Sequence, residues 1–163
     1  MTNNNKTKVK VTPKKLLIFS FIALIIYLLI RMLFTYIVVN ISDSHAGTIF
    51  LKSNKKPIKN DFVYFDFKHK LLPKNIDTLS KKLVCVEGDN LVINDNFIAC
   101  NERKYLIKRN KKTGSGKPIK QFYYDGIVPK NKAVVWGKNI KSFDSRYLGF
   151  MKYDQLKTML LLL

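Results

Sequence analysis

At 163 residues, nearly half hydrophobic and only a quarter charged, the chain can bury the core of one domain and falls outside the disordered class. Its 30 Lys and Arg against 11 Asp and Glu give a formal charge of +19, which favours anionic partners such as acidic lipid head groups, nucleic acid or acidic proteins. Charge does not choose among these, and the many Lys and Asn residues also fit a biased genome.

Residues 1–15 form a basic tail in which Lys6, Lys8, Lys10, Lys14 and Lys15 occur without an acidic residue. Leu16 to Val39 is then apolar except for Arg31 and a few small or aromatic hydroxyl residues. At helical rise this stretch spans about 36 Å, enough to cross a hydrocarbon core of about 30 Å with some tilt. Arg31 lies about two turns from the outer end, where its stem can snorkel to head groups. Positive residues beside a span stay inside, so the expectation is a single-pass anchor over 16–39, a cytoplasmic amino terminus and an external domain over 40–163. The alternative is a cleaved secretory signal, with Ser44-His45-Ala46 as its small-x-small site. The apolar core of such a signal runs about 7–15 residues, far shorter than this one.

Past Asn40 the pattern turns to short apolar runs. Thr48–Leu51, Phe62–Phe67, Leu83–Val86, Leu91–Ile93, Phe97–Ala99, Phe122–Tyr124 and Ala133–Trp136 read as strands. Pro57, Pro73, Gly88-Asp89, Gly114-Ser115-Gly116-Lys117-Pro118 and Pro129-Lys130-Asn131-Lys132 separate them. A mainly β, antiparallel architecture follows, of small sheets or a partly open barrel, with one short helix expected from Tyr153 to the carboxyl end. The final Leu160–Leu163 run is too short to span a membrane; dipping into the interface and packing on the fold both remain open. Arg103-Lys104 and Lys108 to Lys112 read as a solvated basic face.

Cys85 and Cys100 frame a hairpin whose turn is Asn94-Asp95-Asn96, so the two thiols can approach to disulfide distance, which fits an oxidising compartment such as a periplasm. Two independent buried thiols are the alternative. His45 and His69 stand alone, no zinc spacing or phosphate loop occurs, and neither a metal nor another cofactor is expected.

Three segments carry chemistry. The first is Asn40-Ile41-Ser42-Asp43-Ser44-His45-Ala46-Gly47, directly after the span. The second is Ser80-Lys81-Lys82-Leu83-Val84-Cys85-Val86-Glu87-Gly88-Asp89. The third is Val128-Pro129, then Gly137-Lys138-Asn139 and Ser142-Phe143-Asp144-Ser145-Arg146-Tyr147-Leu148-Gly149. In this order they resemble the type I signal peptidases, and more closely their conjugative-transfer (TraF-like) branch. In that family a Ser follows the membrane span, a Lys opens a Lys-Arg-Val-Val-Gly-x-Pro-Gly-Asp-like strand and turn, and Ser-x-Asp-Ser-Arg-Tyr-x-Gly closes the domain. The last motif fits at every specified position. Lys59-Asn60-Asp61-Phe62-Val63-Tyr64-Phe65 also resembles the family's Gly-Asp-x-Val-x-Phe strand, with Asn60 where Gly is usual.

The resemblance implies a signal-peptidase-like antiparallel β domain behind one amino-terminal transmembrane helix. It implies Ser44 as nucleophile and Lys81 as general base, with Ser42 helping the Ser44 N–H to form the oxyanion hole. Ser142 would orient the lysine amine, and Asp144 with Arg146 would form a supporting salt bridge. Departures are local: no Pro follows Ser44, Glu87 stands where Pro is usual, Lys82 replaces Arg, and Lys138 replaces Asp, the last a change the TraF-like branch tolerates.

The residue types suit the chemistry. A serine hydroxyl needs a base to take its proton. A lysine, with an ordinary pKa near about 10.4, serves as that base only when burial depresses the value, and Leu79, Leu83 and Val84 are placed to desolvate it. The expected enzyme is a serine endopeptidase of a bacterial inner membrane with an external, periplasmic domain. Its partners would be the membrane and a membrane-embedded precursor: a signal peptide, or in the TraF-like branch a conjugative pilin, with cyclisation left open. Two rival readings are a housekeeping signal peptidase for secreted proteins and a non-catalytic, membrane-anchored basic protein of a transfer apparatus. The basic stretches lack the aromatic interleaving of a single-strand-binding surface, so no nucleic-acid partner is expected.

Overall fold

The computed structural model describes residues 12–39, 49–69, 71–72, 76–113, 116–139 and 142–162. The chain divides into two units, Met1–Tyr36 and Ile37–Leu163.

In the first unit, helix α1 (Pro13–Tyr36) runs for 24 residues, about 36 Å at 1.5 Å per residue, and is long and apolar enough to cross a membrane. Pro13 takes the first helical position, where its missing N–H costs nothing, and the Thr12 carbonyl accepts the Leu16 N–H at 3.1 Å. None of its side chains is buried, as a lipid-facing surface requires. The helix thus starts three residues before the expected Leu16 and stops at Tyr36. Ile37-Val38-Val39 instead form strand β1, because three successive β-branched residues are stiff in a helix and pair well in a ladder.

The second unit is two antiparallel sheets. The larger has seven strands in the order β1-β2-β11-β3-β4-β9-β10. Its members are β1 (Ile37–Val39), β2 (Ile49–Lys52), β3 (Phe62–Asp66), β4 (Thr78–Val86), β9 (Lys132–Trp136), β10 (Met151–Lys152) and β11 (Lys157–Leu161). The smaller has the order β7-β6-β5-β8, from β5 (Asn90–Ile93), β6 (Phe97–Cys100), β7 (Arg103–Leu106) and β8 (Tyr124–Ile127). A short helix, α2 (Ser145–Leu148), lies between β9 and β10 in the chain.

Strand β4 organises the domain. Its inward positions alternate as Leu79, Lys81 and Leu83, all buried, until the register against β9 shifts between Leu83 and Cys85. At that bulge Val84 and Cys85 are both buried. Leu79 and Leu83 pack with Val63, Phe65, Ala133 and Val135 in one core, whereas Val84 and Cys85 pack with Leu91, Ile93, Ile98, Val128 and Val134 in the other. Alternate residues of β9 split the same way, so the β4–β9 pair carries apolar packing on both faces.

Cys85 and Cys100 form a disulfide with Cα atoms 5.7 Å apart, tying the large sheet to the small one. Beside it, Asp89 accepts from Lys59 Nζ at 2.6 Å, from Asn101 Nδ2 at 2.8 Å and from the Val86 N–H at 2.9 Å.

Three expected elements differ. The carboxyl-terminal helix is a single 3-10 turn (Tyr153–Gln155) followed by strand β11, which fills the gap between β2 and β3. Leu160 and Leu161 of the terminal leucine run belong to that strand, opposite Leu51 and Phe50. Arg103-Lys104, expected only as part of a solvated basic face, are exposed as expected but begin the edge strand β7. The strand expected over Phe122–Tyr124 lies at Tyr124–Ile127, since the Phe122 N–H is drawn to the Arg146 carbonyl at 3.0 Å.

Candidate active site

Ser42 and Ser44, expected as oxyanion-hole and nucleophilic residues, lie outside the described residues, as does His45. Lys81, Ser142, Asp144 and Arg146 lie within them and are all buried.

Lys81 is 4 % exposed at a core-facing position of β4, paired with Val63 across the ladder. Burial lowers its pKa from 10.5 to about 8; the Asp144 carboxylate pulls the value up and the Arg146 guanidinium presses it down. Desolvation dominates because the two neighbouring charges oppose each other.

Asp144 and Arg146 form a two-pronged pair, Nε to Oδ1 and Nη2 to Oδ2, both at 2.8 Å. The Gly137 N–H at 2.8 Å and the Arg146 N–H at 3.1 Å complete the carboxylate's ring of donors. Burial pushes the Asp144 carboxyl above its ordinary value, while Arg146 and the two N–H groups hold it down. Asp144 also caps α2 through the bond from Arg146 N–H, so one carboxylate both starts the helix and fixes the guanidinium. The Arg146 guanidinium reaches the Gly137 carbonyl at 2.9 Å and the Lys108 carbonyl at 3.1 Å. Ser145 Oγ accepts the Val135 N–H at 2.9 Å, which fastens α2 to β9. Gly149 ends the motif at φ 72, and a Cβ there would stand 3.3 Å from the Phe122 ring, so backbone and space both demand glycine.

The Ser142 hydroxyl is buried, and its Oγ has no hydrogen-bond partner among the described residues. Leaving such a group unpaired costs about 1–3 kcal/mol. His69 makes none of these hydrogen bonds, but its ring lies against Phe143 of the same motif at 5.3 Å and stacks on Phe67 at 5.9 Å, while its Nδ1 accepts the Leu71 N–H at 3.2 Å. Cys85, Asp89 and Cys100 lie close enough to share a metal ion, but the disulfide occupies both sulfurs. A surface cleft of about 480 Å³ is lined by Ser53–Pro57, Tyr64, Tyr153, Asp154, Leu156 and Lys157 and includes none of these buried groups.

A buried lysine beside a neutralised ion pair is what a lysine base needs. The family model for signal peptidase, peptidase S26, matches residues 14–160. The chain belongs to the signal peptidase family. A signal peptidase I from Enterococcus faecalis V583 aligns with a TM-score of 0.42 and 23 % identity, over 66 % of this chain and 99 % of that one. An 84-residue stretch is 36 % identical to ribonuclease E of Buchnera aphidicola subsp. Schizaphis graminum (strain Sg). That stretch is 52 % of this chain, which spans only 8 % of that relative's length.

Where the sequence departs from the signal peptidase pattern, the backbone accommodates it. Asn60, in place of the usual Gly, adopts φ 80, a region Asn tolerates, and its Oδ1 accepts from Arg103 at 2.7 Å and from Tyr105 at 3.3 Å. Glu87 precedes Gly88, whose φ of 84 makes the turn, and accepts the Asn131 N–H at 2.8 Å.

One residue at the site was not legible in the sequence. Arg109, expected in a solvated basic run, has a side chain only 5 % exposed and packs against the Asp144–Arg146 unit. Nothing in the lysine-rich stretch around it distinguishes the one buried cation from its exposed neighbours.

Proposed function

We propose that this signal peptidase family member is a membrane-anchored serine endopeptidase in which Ser44 is the nucleophile and Lys81 its general base. The observation that carries the reading is the burial of Lys81, which lowers its pKa to about 8. An exposed lysine is almost wholly protonated at neutral pH, whereas this one holds a useful neutral fraction there.

In the proposed cycle, neutral Lys81 takes the proton of Ser44 as its Oγ attacks the scissile carbonyl. The Ser44 N–H and the Ser42 hydroxyl hold the developing oxyanion. The protonated amine then delivers its proton to the leaving amine, and the acyl-enzyme remains. Lys81, neutral again, takes a proton from the water that attacks the acyl-enzyme and passes it to Ser44 Oγ as the acyl group leaves. Ser142 supports the lysine: its buried hydroxyl, lacking another partner among the described residues, is suited to accept from the ammonium. Asp144 and Arg146 act on the amine with opposite signs, and desolvation, the largest effect, sets the direction of the shift.

The substrate class we infer is a precursor held in the membrane, because Ser44 follows the apolar helix by few residues; the family resemblance implies small residues before the scissile bond. The TraF-like features, above all Lys138 where housekeeping enzymes carry Asp, favour a conjugative pilin precursor. The basic tail favours an amino terminus in the cytoplasm, with the domain on the periplasmic side of an inner membrane.

The test is incubation of the purified full chain with a pilin precursor and with a secretory precursor. Cleavage is expected with wild type and none with Ser44→Ala or Lys81→Ala. Cleavage retained by either variant overturns the dyad, and cleavage of the secretory precursor alone overturns the pilin assignment.

A further inference from the structure

The long connection between β7 and β8 sends three consecutive residues to one place. The Lys108 carbonyl accepts from Arg146 Nη1 at 3.1 Å, Arg109 Nη1 donates to the Arg146 carbonyl at 2.8 Å, and the Asn110 N–H donates to the Tyr147 hydroxyl at 2.7 Å. The segment therefore clasps Arg146 at both its guanidinium and its backbone.

Arg109 is the centre of the clasp. A guanidinium has five N–H donors in a fixed fork. Arg109 makes five bonds: Nε and Nη2 to the Asn94 carbonyl at 3.0 and 2.9 Å, Nη2 to the Phe122 carbonyl at 2.8 Å, and Nη1 to Gln121 Oε1 at 3.1 Å and to the Arg146 carbonyl. Asp95 lies 3.6 Å from Nε, and the Tyr123 ring covers the guanidinium carbon at 4.4 Å. One side chain thus joins the β5–β6 turn, the segment before β8, and α2. A lysine, with three donors on a single point, cannot reproduce this fork.

The geometry points to Arg109 as a positioning residue that fixes the Asp144–Arg146 pair against Lys81. This inference rests on the proposed role of Lys81 as base. Among the described residues, Asp144 and Arg146 are the charged groups that act on Lys81. They are bonded to each other, so a loosened clasp lets them shift as a unit and opens the buried site to water; the lysine then titrates higher, since burial is the largest effect holding it down.

The experiment compares wild type with Arg109→Lys and Gln121→Ala, each as the full chain in detergent micelles. The pH dependence of precursor cleavage and the NMR titration of labelled Lys81, identified by its loss in Lys81→Met, are both read. Arg109→Lys is expected to move the acid limb and the Lys81 midpoint upward together. A rise of half a pH unit lowers the rate below that midpoint about threefold. Gln121→Ala, which removes one of the four acceptors, is expected to move both less, in the same direction. It decides the matter if Arg109→Lys does not fold. Reduced thermal stability with unchanged midpoints would make Arg109 purely structural and overturn the inference. If wild type cleaves no precursor, the peptidase reading fails; the Lys81 titration then decides the role of Arg109 alone.

Discussion

Replacing Lys81 by Met removes a buried amine while keeping most of its volume, and the structure sets the size of the effect. The drop in pKa from 10.5 to about 8 corresponds to about 3 kcal/mol at 1.36 kcal/mol per pH unit. The folded value lies below the unfolded one, so between about pH 8 and 10.5 the unfolded chain binds more protons. Wild-type stability therefore rises with pH across that window. Below pH 8 both states are protonated and the cost of the buried ammonium is felt in full. Above about pH 10.5 both are neutral and it vanishes. Lys81→Met is thus expected to be more stable than wild type by about 3 kcal/mol at pH 7, a gain that fades by about pH 10.5 to the difference in packing alone. Denaturant unfolding followed by the fluorescence of Trp136, the single tryptophan, measures it at both ends of the window. A gap between the two proteins that is the same at pH 7 and at pH 10.5 would refute the reasoning, because only the titration of Lys81 makes it pH-dependent.

Further outcomes follow from the same geometry. The rate constant kcat/KM for precursor cleavage is expected to rise with pH and level off above about 8, as Lys81 loses its proton; a rate flat from pH 6 to 9 contradicts a lysine base. Asp144→Asn leaves the Arg146 guanidinium buried without its counter-charge and is expected to cost about 3–5 kcal/mol in denaturant unfolding. Replacing both Cys85 and Cys100 by Ala opens a loop of sequence separation 15 and is expected to lose about 3 kcal/mol, read as a lower midpoint than that of the oxidised wild type.

Much of the large sheet is visible in the sequence because its strands alternate. Phe62–Asp66 buries Val63 and Phe65 and was expected almost to the residue. Strand β4 was legible only from Leu83 onward. Its first half places Lys81 at a core-facing position, and a charged residue there erases the alternation by which strands are recognised. The proposed base was thus found by motif, while its strand was hidden by the same residue. Strand β11 was mistaken for helix because its leucines favour one; only the place between β2 and β3 overrides that preference. The Ser142–Gly149 segment was readable because each position has its own demand: a capping carboxylate, a helix-fastening hydroxyl, a buried guanidinium and a glycine at φ 72. Arg109 had no such signature. Three of its four acceptors are backbone carbonyls, which leave no trace in side-chain identity.

The bulge at Val84 bears on motion. Strands that carry packing on both faces open only when the whole domain does, whereas edge strands and loops fluctuate at far smaller free energies. Lys81 lies three residues before that bulge, on the strand shared by both cores. Its amide should rank among the slowest to exchange with solvent hydrogen. Local breathing of the fold does not carry the amine in and out of water, so its environment persists for as long as the molecule stays folded.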